Sequence, residues 1–591
     1  MALGQLAYEV SFEGVVTAYR YDNSVGSGGR LAAKHYYGGA TAEADYLADA
    51  ADGTLIQADE ATTYTYDAQG RSVDVVQDRD GNLTTTTDQR VTTNDYDGYG
   101  RLTSVALPEG TINYEYNAVT GERVRTWTGT TSVDTDTWYD YDALGRLDEV
   151  RALARNGAPI DNDPVAPGNQ AEATDYVYDL LGNLKQTRLP NGVVSDYDYD
   201  GLNRLEFLRQ FRDTNGNRTY QAGVDVVLAE FDYDLLAEGR RSGVTEKDDQ
   251  GRVTRIDWLY DSVGRLTRES YNSFDDSLDF IARYRFELTG NRREKASNTS
   301  PTAADFSAFF DTGALTPDET VTYTYDANDR LLTETKDMAG TTDDRRTIYS
   351  YGTGNAGTQQ TGKEVRRYTD GSGGLLEQDT YGYNLQGRMS SATVDKTGSG
   401  GGTSTSTYQY DDSGIRVSQT VDGQKTDYLI DAFNPTGYAQ VIEEKIADAI
   451  LKSYTLGLDV IGQQGPGIAN GSPLFFLYDG HGSTRGLVDA TGQPLVGQVF
   501  RYDAYGNRLD VAVALTNLLY SGEQIDNTGL HYLRARYYDP STGRFNRLDP
   551  LAGTTADPIS LHRYLYANGD PANIIDPSGL SSEPLQLSRT A

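Results

Sequence analysis

Four histidines, His35, His481, His531 and His562, are the side chains closest to titrating at neutral pH, and none stands in a pattern that does chemistry. No HExxH spacing links them, and no acidic partner lies at metal-ligand spacing. The chain has no Cys, which removes thiolate nucleophiles, disulfides and Cys-bound metals together. GHGSTRG (480–486) lacks the Gly-Lys-Ser/Thr ending of a phosphate loop and no helical pattern follows it. No GxSxG occurs with His and Asp partners in order. DRDGN (78–82) offers oxygen ligands of the kind Ca²⁺ takes, without the full loop and its terminal bidentate Glu. No cofactor and no metal is implied. Toward the C-terminal end Asp-Pro recurs at 539–540, 549–550, 557–558, 570–571 and 576–577, and read alone it is turn punctuation. The neighbouring Arg534, Arg536 and Arg544 read alone are cation–π partners for the many Tyr rings.

The elements that must position any site follow from composition. The apolar share is 37%, below the ~45–50% usual for globular chains. Gly stands at 63 and Tyr at 44, against 15 Phe and 3 Trp. Such a chain is expected to build a sheet wet on both faces, its Tyr rings covering the backbone and its hydroxyls in water. The net charge of −35 opposes nucleic acid and anionic lipid as partners. No apolar run approaches the ~18 residues of a membrane span. The start, MALGQLAYEVSFEG, lacks the regions of a secretory signal and reads as a cut into a longer protein.

One unit recurs. In YTYDAQGR, Tyr64 and Tyr66 share a strand face, Asp67 opens a four-residue connection, Gly70 closes it at positive φ, and Arg71 restarts extended chain. The unit predicts a β-hairpin with a type I turn and bulge. Copies begin near residues 64, 96, 114, 139, 176, 197, 231, 258, 284, 323, 381, 408, 428, 476 and 500. The connections vary, GSGGGTSTST (398–407) and GTGNAGTQQTG (352–362) being the clearest loops. QVIEEKIADAILKS (440–453) has apolar residues at helical spacing but flanks that look like strands, so it reads either as a helix or as a hairpin with a wide turn.

These repeats resemble the YD repeats of the Rhs family, whose members include the C components of insecticidal toxin complexes, wall-associated bacterial YD proteins and the teneurins. The resemblance covers about residues 60–580. It implies an all-β fold: a long antiparallel β-hairpin ribbon spiralling into a hollow shell around an unfolded C-terminal toxin. From Phe476 onward the chain is similar to the Rhs repeat-associated core. RARYYDPSTGRF (534–545), the YLYAN–DP pairing (564–571) and DPSGL (576–580) occur together and in order. The implied organisation is partial leading repeats over 1–60, a shell over 61–473, a core over 474–580 and a tail over 581–591.

In toxin-carrying relatives the core plugs the shell and cuts its own chain after the Leu of DPxGL. The resemblance therefore assigns aspartyl-protease-like roles to Asp549 and Asp576, assisted by Arg536, with Leu580–Ser581 as the scissile bond. Two close carboxylates share a proton; the ionised one activates water and the neutral one donates to the peptide carbonyl. PLAGTTADPISL, between Asp549 and His562, is a few residues longer than the family's usual spacing and is expected to displace Asp549 from Asp576. The tail SSEPLQLSRTA is too short for a toxin domain, which needs roughly 50 residues.

The reading is an encapsulating scaffold, secreted or at the cell surface, with at most one intramolecular cut and no turnover. Its partners are its own C-terminal cargo and, at the other end, delivery or plug domains or a toxin complex B-like protein. The alternative is a structural or adhesive surface scaffold without proteolysis.

Overall fold

The computed structural model describes residues 6–11, 14–22, 29–38, 42, 44–47, 59–79, 89–130, 132–160, 172–310, 315–340, 343–352, 357–367, 373–510, 513–556 and 558–585. DRDGN therefore falls largely outside the described residues. Among those described, 37 strands from Tyr8 to Val499 form one sheet. Each strand pairs antiparallel with its neighbour in sequence, the short excursion Ala158–Pro159 being bypassed where Leu147–Arg155 pairs with Ala173–Tyr178. A four-stranded sheet over Gln524–Phe545 and a two-stranded one, Ile574–Ile575 with Glu583–Pro584, complete it.

The repeat explains itself in the copy Tyr139–Arg146. Asp142 Oδ1 accepts the backbone N–H groups of Leu144 and Arg146, at 2.8 and 3.0 Å, and Gly145 sits at φ 77°. Arg146 turns back to form an ion pair with Asp142 at 2.6 Å. Its guanidinium then lies 4.2 Å from the ring centroid of Tyr178, in the next copy. The hydroxyl of Tyr178 donates to the carbonyl of Leu147 at 2.8 Å. The same links join Arg71 to Tyr96 and Arg101 to Tyr116. So the motif's first Tyr packs inward, as Tyr139, Tyr176, Tyr233 and Tyr284 do. Its second Tyr and its Arg couple one hairpin to the next.

This corrects the expected wet sheet. The motif's first Tyr is commonly buried, and the hydroxyl of its second, half-buried in Tyr66, Tyr199 and Tyr325 and buried in Tyr410, donates to a backbone carbonyl of the preceding repeat, that of Leu31, Leu184, Arg292 and Met389 respectively. A hydroxyl withdrawn from water gains by finding an acceptor, and in these repeats the preceding strand's carbonyl is that acceptor. The segment 440–453 is a hairpin of Gln440–Ile446 and Ala449–Leu456. Its turn is tight, not wide, with Ala447 and Asp448 both at positive φ, the geometry of a two-residue hairpin loop.

The ribbon coils back over itself. Tyr114 bonds Asp431, Thr135 bonds Glu443, Arg155 bonds Thr455 and Asn191 bonds Asp489, partners 317, 308, 300 and 298 residues apart. Gln386 reaches Glu60 and Arg485 forms a bidentate pair with Glu246. The segment from Phe500 to Leu580 seats across this coil. Ala504, Tyr505 and Ala572 pack with Leu208, Tyr271 and Tyr284; Leu530, Tyr532 and Tyr537 pack with Tyr381, Tyr408 and Tyr410. Arg416, fully buried, pins the two parts: it pairs with Asp526 at 2.5 Å and lies 4.3 Å from the Tyr532 ring centroid.

Candidate active site

The strand Arg536–Asp539 pairs with His531–Leu533 through a turn in which Arg534 takes φ 53°. That turn aims Arg536 into the core, where its guanidinium lies 3.6 Å from the ring centroid of Phe545. From one nitrogen, Nη2, it reaches Asp549 Oδ2 at 2.7 Å and Asp576 Oδ2 at 3.4 Å. Its Nε donates to the carbonyl of Gly579 and its Nη1 to that of Arg563.

All three residues assigned from the sequence thus meet at one point. The expected displacement of Asp549 does not occur. The longer loop is closed at its neck by a hydrogen bond from the Asp549 N–H to the Arg563 carbonyl, 2.9 Å. Arg563 also bonds the Asp549 carbonyl through its side chain. The surplus residues bulge outward as a turn over Pro558–Leu561.

Asp576 begins the tight turn Asp576–Leu580. Gly579 has φ 66°, and a Cβ there would stand 2.2 Å from the Leu533 carbonyl oxygen, so the turn admits only Gly. Asp576 Oδ1 accepts the N–H of Leu580 at 3.0 Å, the N–H of Ser581 at 3.1 Å and the Ser578 hydroxyl at 3.1 Å. The nitrogen of the Leu580–Ser581 bond is therefore held directly on a carboxylate. Ser578 and Arg563 were not singled out from the sequence. A Ser two residues after an Asp is a common turn partner, which is the signal that could have marked Ser578.

Burial pushes the carboxyls of Asp549 and Asp576 up, against the pull of Arg536. Burial pushes the Arg536 guanidinium down to about 10, opposed by the same two carboxylates. Asp549 keeps 15% of its side chain exposed and Asp576 only 2%. The rival arginines are engaged elsewhere: Arg534 with Glu523 and the Pro577 carbonyl, Arg544 with Asn291 and the Asp329 carbonyl. His531 and His562 are buried and His481 is half-buried, and desolvation holds the pKa values of His481, His531 and His562 at about 4, 4 and 3. GHGSTRG forms a further YD turn, with Asp479 Oδ1 accepting from His481 and Ser483. Among the described residues no group of three His, Cys, Asp or Glu could hold a metal ion.

No family model matches the chain. It is 36% identical over 174 residues to the tRNA3(Ser)-specific nuclease WapA of Bacillus spizizenii, covering 28% of this chain and 7% of that protein. It is 24% identical over 453 residues to double-stranded DNA deaminase toxin A of Burkholderia cenocepacia, covering 69% of this chain and 28% of that one. A solved TcdB2-TccC3-TEV structure aligns at TM-score 0.45 and 17% identity, over 96% of this chain and 30% of that chain. The chain spans under a third of the length of either sequence relative. Repeat, ribbon and sequence likeness define the class, an all-β repeat protein whose hairpins carry the YD motif. By its repeats and sequence likeness the chain is similar to Rhs/YD-repeat proteins.

Proposed function

We propose that the protein is an encapsulating scaffold of a toxin system, whose coiled ribbon houses the polypeptide that follows Leu580, and that it cuts its own chain once between Leu580 and Ser581. The observation that carries this reading is Arg536 joining Asp549 to an Asp576 that already holds the scissile nitrogen. The repeats over 61–473 would form the wall and 474–580 the core. The relatives are named as a nuclease and a toxin, which supports a toxic cargo. Among the described residues no helix is long and apolar enough to cross a membrane.

In the cut, Asp549, the wetter carboxylate, draws the proton from a water as the water's oxygen bonds the Leu580 carbonyl carbon and the C=O opens to a tetrahedral oxyanion. Arg536 keeps that carboxylate charged while Asp576 stays neutral, which its burial favours. The C–N bond then breaks as Asp576 delivers its proton to the Ser581 nitrogen. The C=O closes again to leave a Leu580 carboxylic acid and a Ser581 amine, with Asp549 protonated and Asp576 ionised; the acid's proton then passes to the amine, giving carboxylate and ammonium. In this reading the neutral Asp serves the leaving nitrogen, not the carbonyl as the sequence-based scheme has it.

The second reading, a structural or adhesive scaffold without proteolysis, keeps the same fold and makes the three residues an ion-pair network. The intact mass of the purified chain under denaturing conditions separates the two. Wild type is expected to lack the mass of Ser581–Ala591, and Asp576→Asn to keep it. Full mass in both proteins would leave the non-proteolytic scaffold.

A further inference from the structure

The nitrogen that leaves in the cut is already seated. It lies 3.1 Å from Asp576 Oδ1 and 3.3 Å from Ser578 Oγ. As an amide it has one hydrogen to offer them. As the α-amine of a new chain end it would carry three and a positive charge, with an ordinary pKa of about 7.7–8.0. The chain beyond the bond is anchored separately. Glu583 and Pro584 pair with Ile575 and Ile574, and Leu585 N–H donates to the Asn573 carbonyl at 3.2 Å. Both carboxylate oxygens of Glu583 lie 2.8 Å from the hydroxyl of Tyr438, which comes from the ribbon. So the residues on either side of the bond are fixed to one framework before any cut.

We propose that the cleavage site becomes a docking site for the N-terminal ammonium it creates, so that Asp576 and Ser578 hold the downstream chain in the scaffold after the bond is broken. The inference rests on the proposed cut. Charge at the site fits the role. Arg536 meets Asp576 through Oδ2, at 3.4 Å, while Oδ1 faces the Ser581 nitrogen, which leaves Oδ1 to the new ammonium. The other groups facing Asp576 are Asp549 and Tyr566, neither of them cationic. Arg563 and Arg547 stand behind Arg536. A buried carboxylate that has delivered its proton needs a cation, and the ammonium is the nearest one the reaction makes.

The pair exists only while the ammonium keeps its proton. A carboxylate partner raises the amine's pKa, so docking holds below that raised value and fails as pH rises through it. The test compares native with denaturing mass spectrometry of the cut wild-type chain near pH 7.5 and near pH 10, with near-UV circular dichroism checking that the fold survives. Retention of Ser581–Ala591 at the lower pH, and at least tenfold faster loss at the higher, is the expected result. Tyr438→Phe combined with Glu583→Gln should hasten loss at pH 7.5, measured on the fraction of chains that are cut. A cut chain that sheds the piece at once at pH 7.5, or keeps it equally at pH 10, overturns the docking site while the cut stands. A chain that is never cut overturns both.

Discussion

Arg536 is the residue on which the site depends physically. It separates two acidic side chains that burial has already pushed toward their neutral forms. Replacing it by Gln leaves two buried carboxyls without a cation, a loss expected to cost about 3–5 kcal/mol at neutral pH. Both carboxyls have folded pKa values above their ordinary ones. Their contribution to stability is therefore full at acid pH and is lost as pH rises through the raised values. The deficit of Arg536→Gln should accordingly shrink between pH 7 and pH 4, read as the difference in Tm from wild type. A deficit constant with pH would mean that packing against Phe545, not charge, is what Arg536 supplies. In the sequence these three residues were legible only through resemblance. Asp549 and Asp576 are two of the five Asp-Pro pairs from residue 539 onward, and nothing in their spacing says that Arg536 will join them, because the turns at Arg534 and Gly579 do so in three dimensions.

At the scale of the element, each hairpin carries its own instructions. Asp142 organises the turn, Gly145 supplies the positive φ, and Arg146 and Tyr178 bind it to the next copy. Gly145→Ala is expected to cost about 1–2 kcal/mol, the strain of a left-handed Ala. Tyr178→Phe should cost about 1 kcal/mol for the hydrogen bond to Leu147. Leu144→Ser, at a turn tip 77% exposed, should stay within about 0.5 kcal/mol. Thermal melts of the three variants check the ranking; a Leu144 effect matching that of Gly145 would contradict this account of the turn. The hairpins were readable because Tyr, Asp, Gly and Arg keep a fixed order within one copy. The bonds of the second Tyr's hydroxyl were not, because their acceptors lie in the copy before. The segment 440–453 was ambiguous for a related reason: its apolar spacing suits a helix, and only the turn at Ala447 and Asp448 with its cross-strand partners decides for the hairpin.

The whole molecule adds contacts that no repeat period encodes. Successive turns of the ribbon meet through residues some 300 positions apart, and the segment after Phe500 locks across them. Glu269 lies on that seam. Its strand, Leu266–Asn272, belongs to the ribbon, while its Oε1 accepts the N–H of Ala504 at 2.7 Å. Trp258 and Tyr284 approach at 3.4 Å as donors, Asp503 stands near, and Lys295 offers only a weak counter-charge. Burial, and then Asp503, push its carboxyl up. The unfolded chain ionises at the ordinary glutamate value of about 4.3, so between that pH and the raised folded value the native state binds the extra proton. Stability then falls with rising pH, by up to about 1.4 kcal/mol per unit, and levels off once the folded group ionises too. Glu269→Gln keeps an acceptor for Ala504 and removes the titration. Its Tm should therefore gain on wild type steadily from about pH 5 upward and then run parallel above the raised value. Parallel curves over the whole range would mean that Glu269 is already ionised in the fold, with a cation or water meeting it at the seam between ribbon and core.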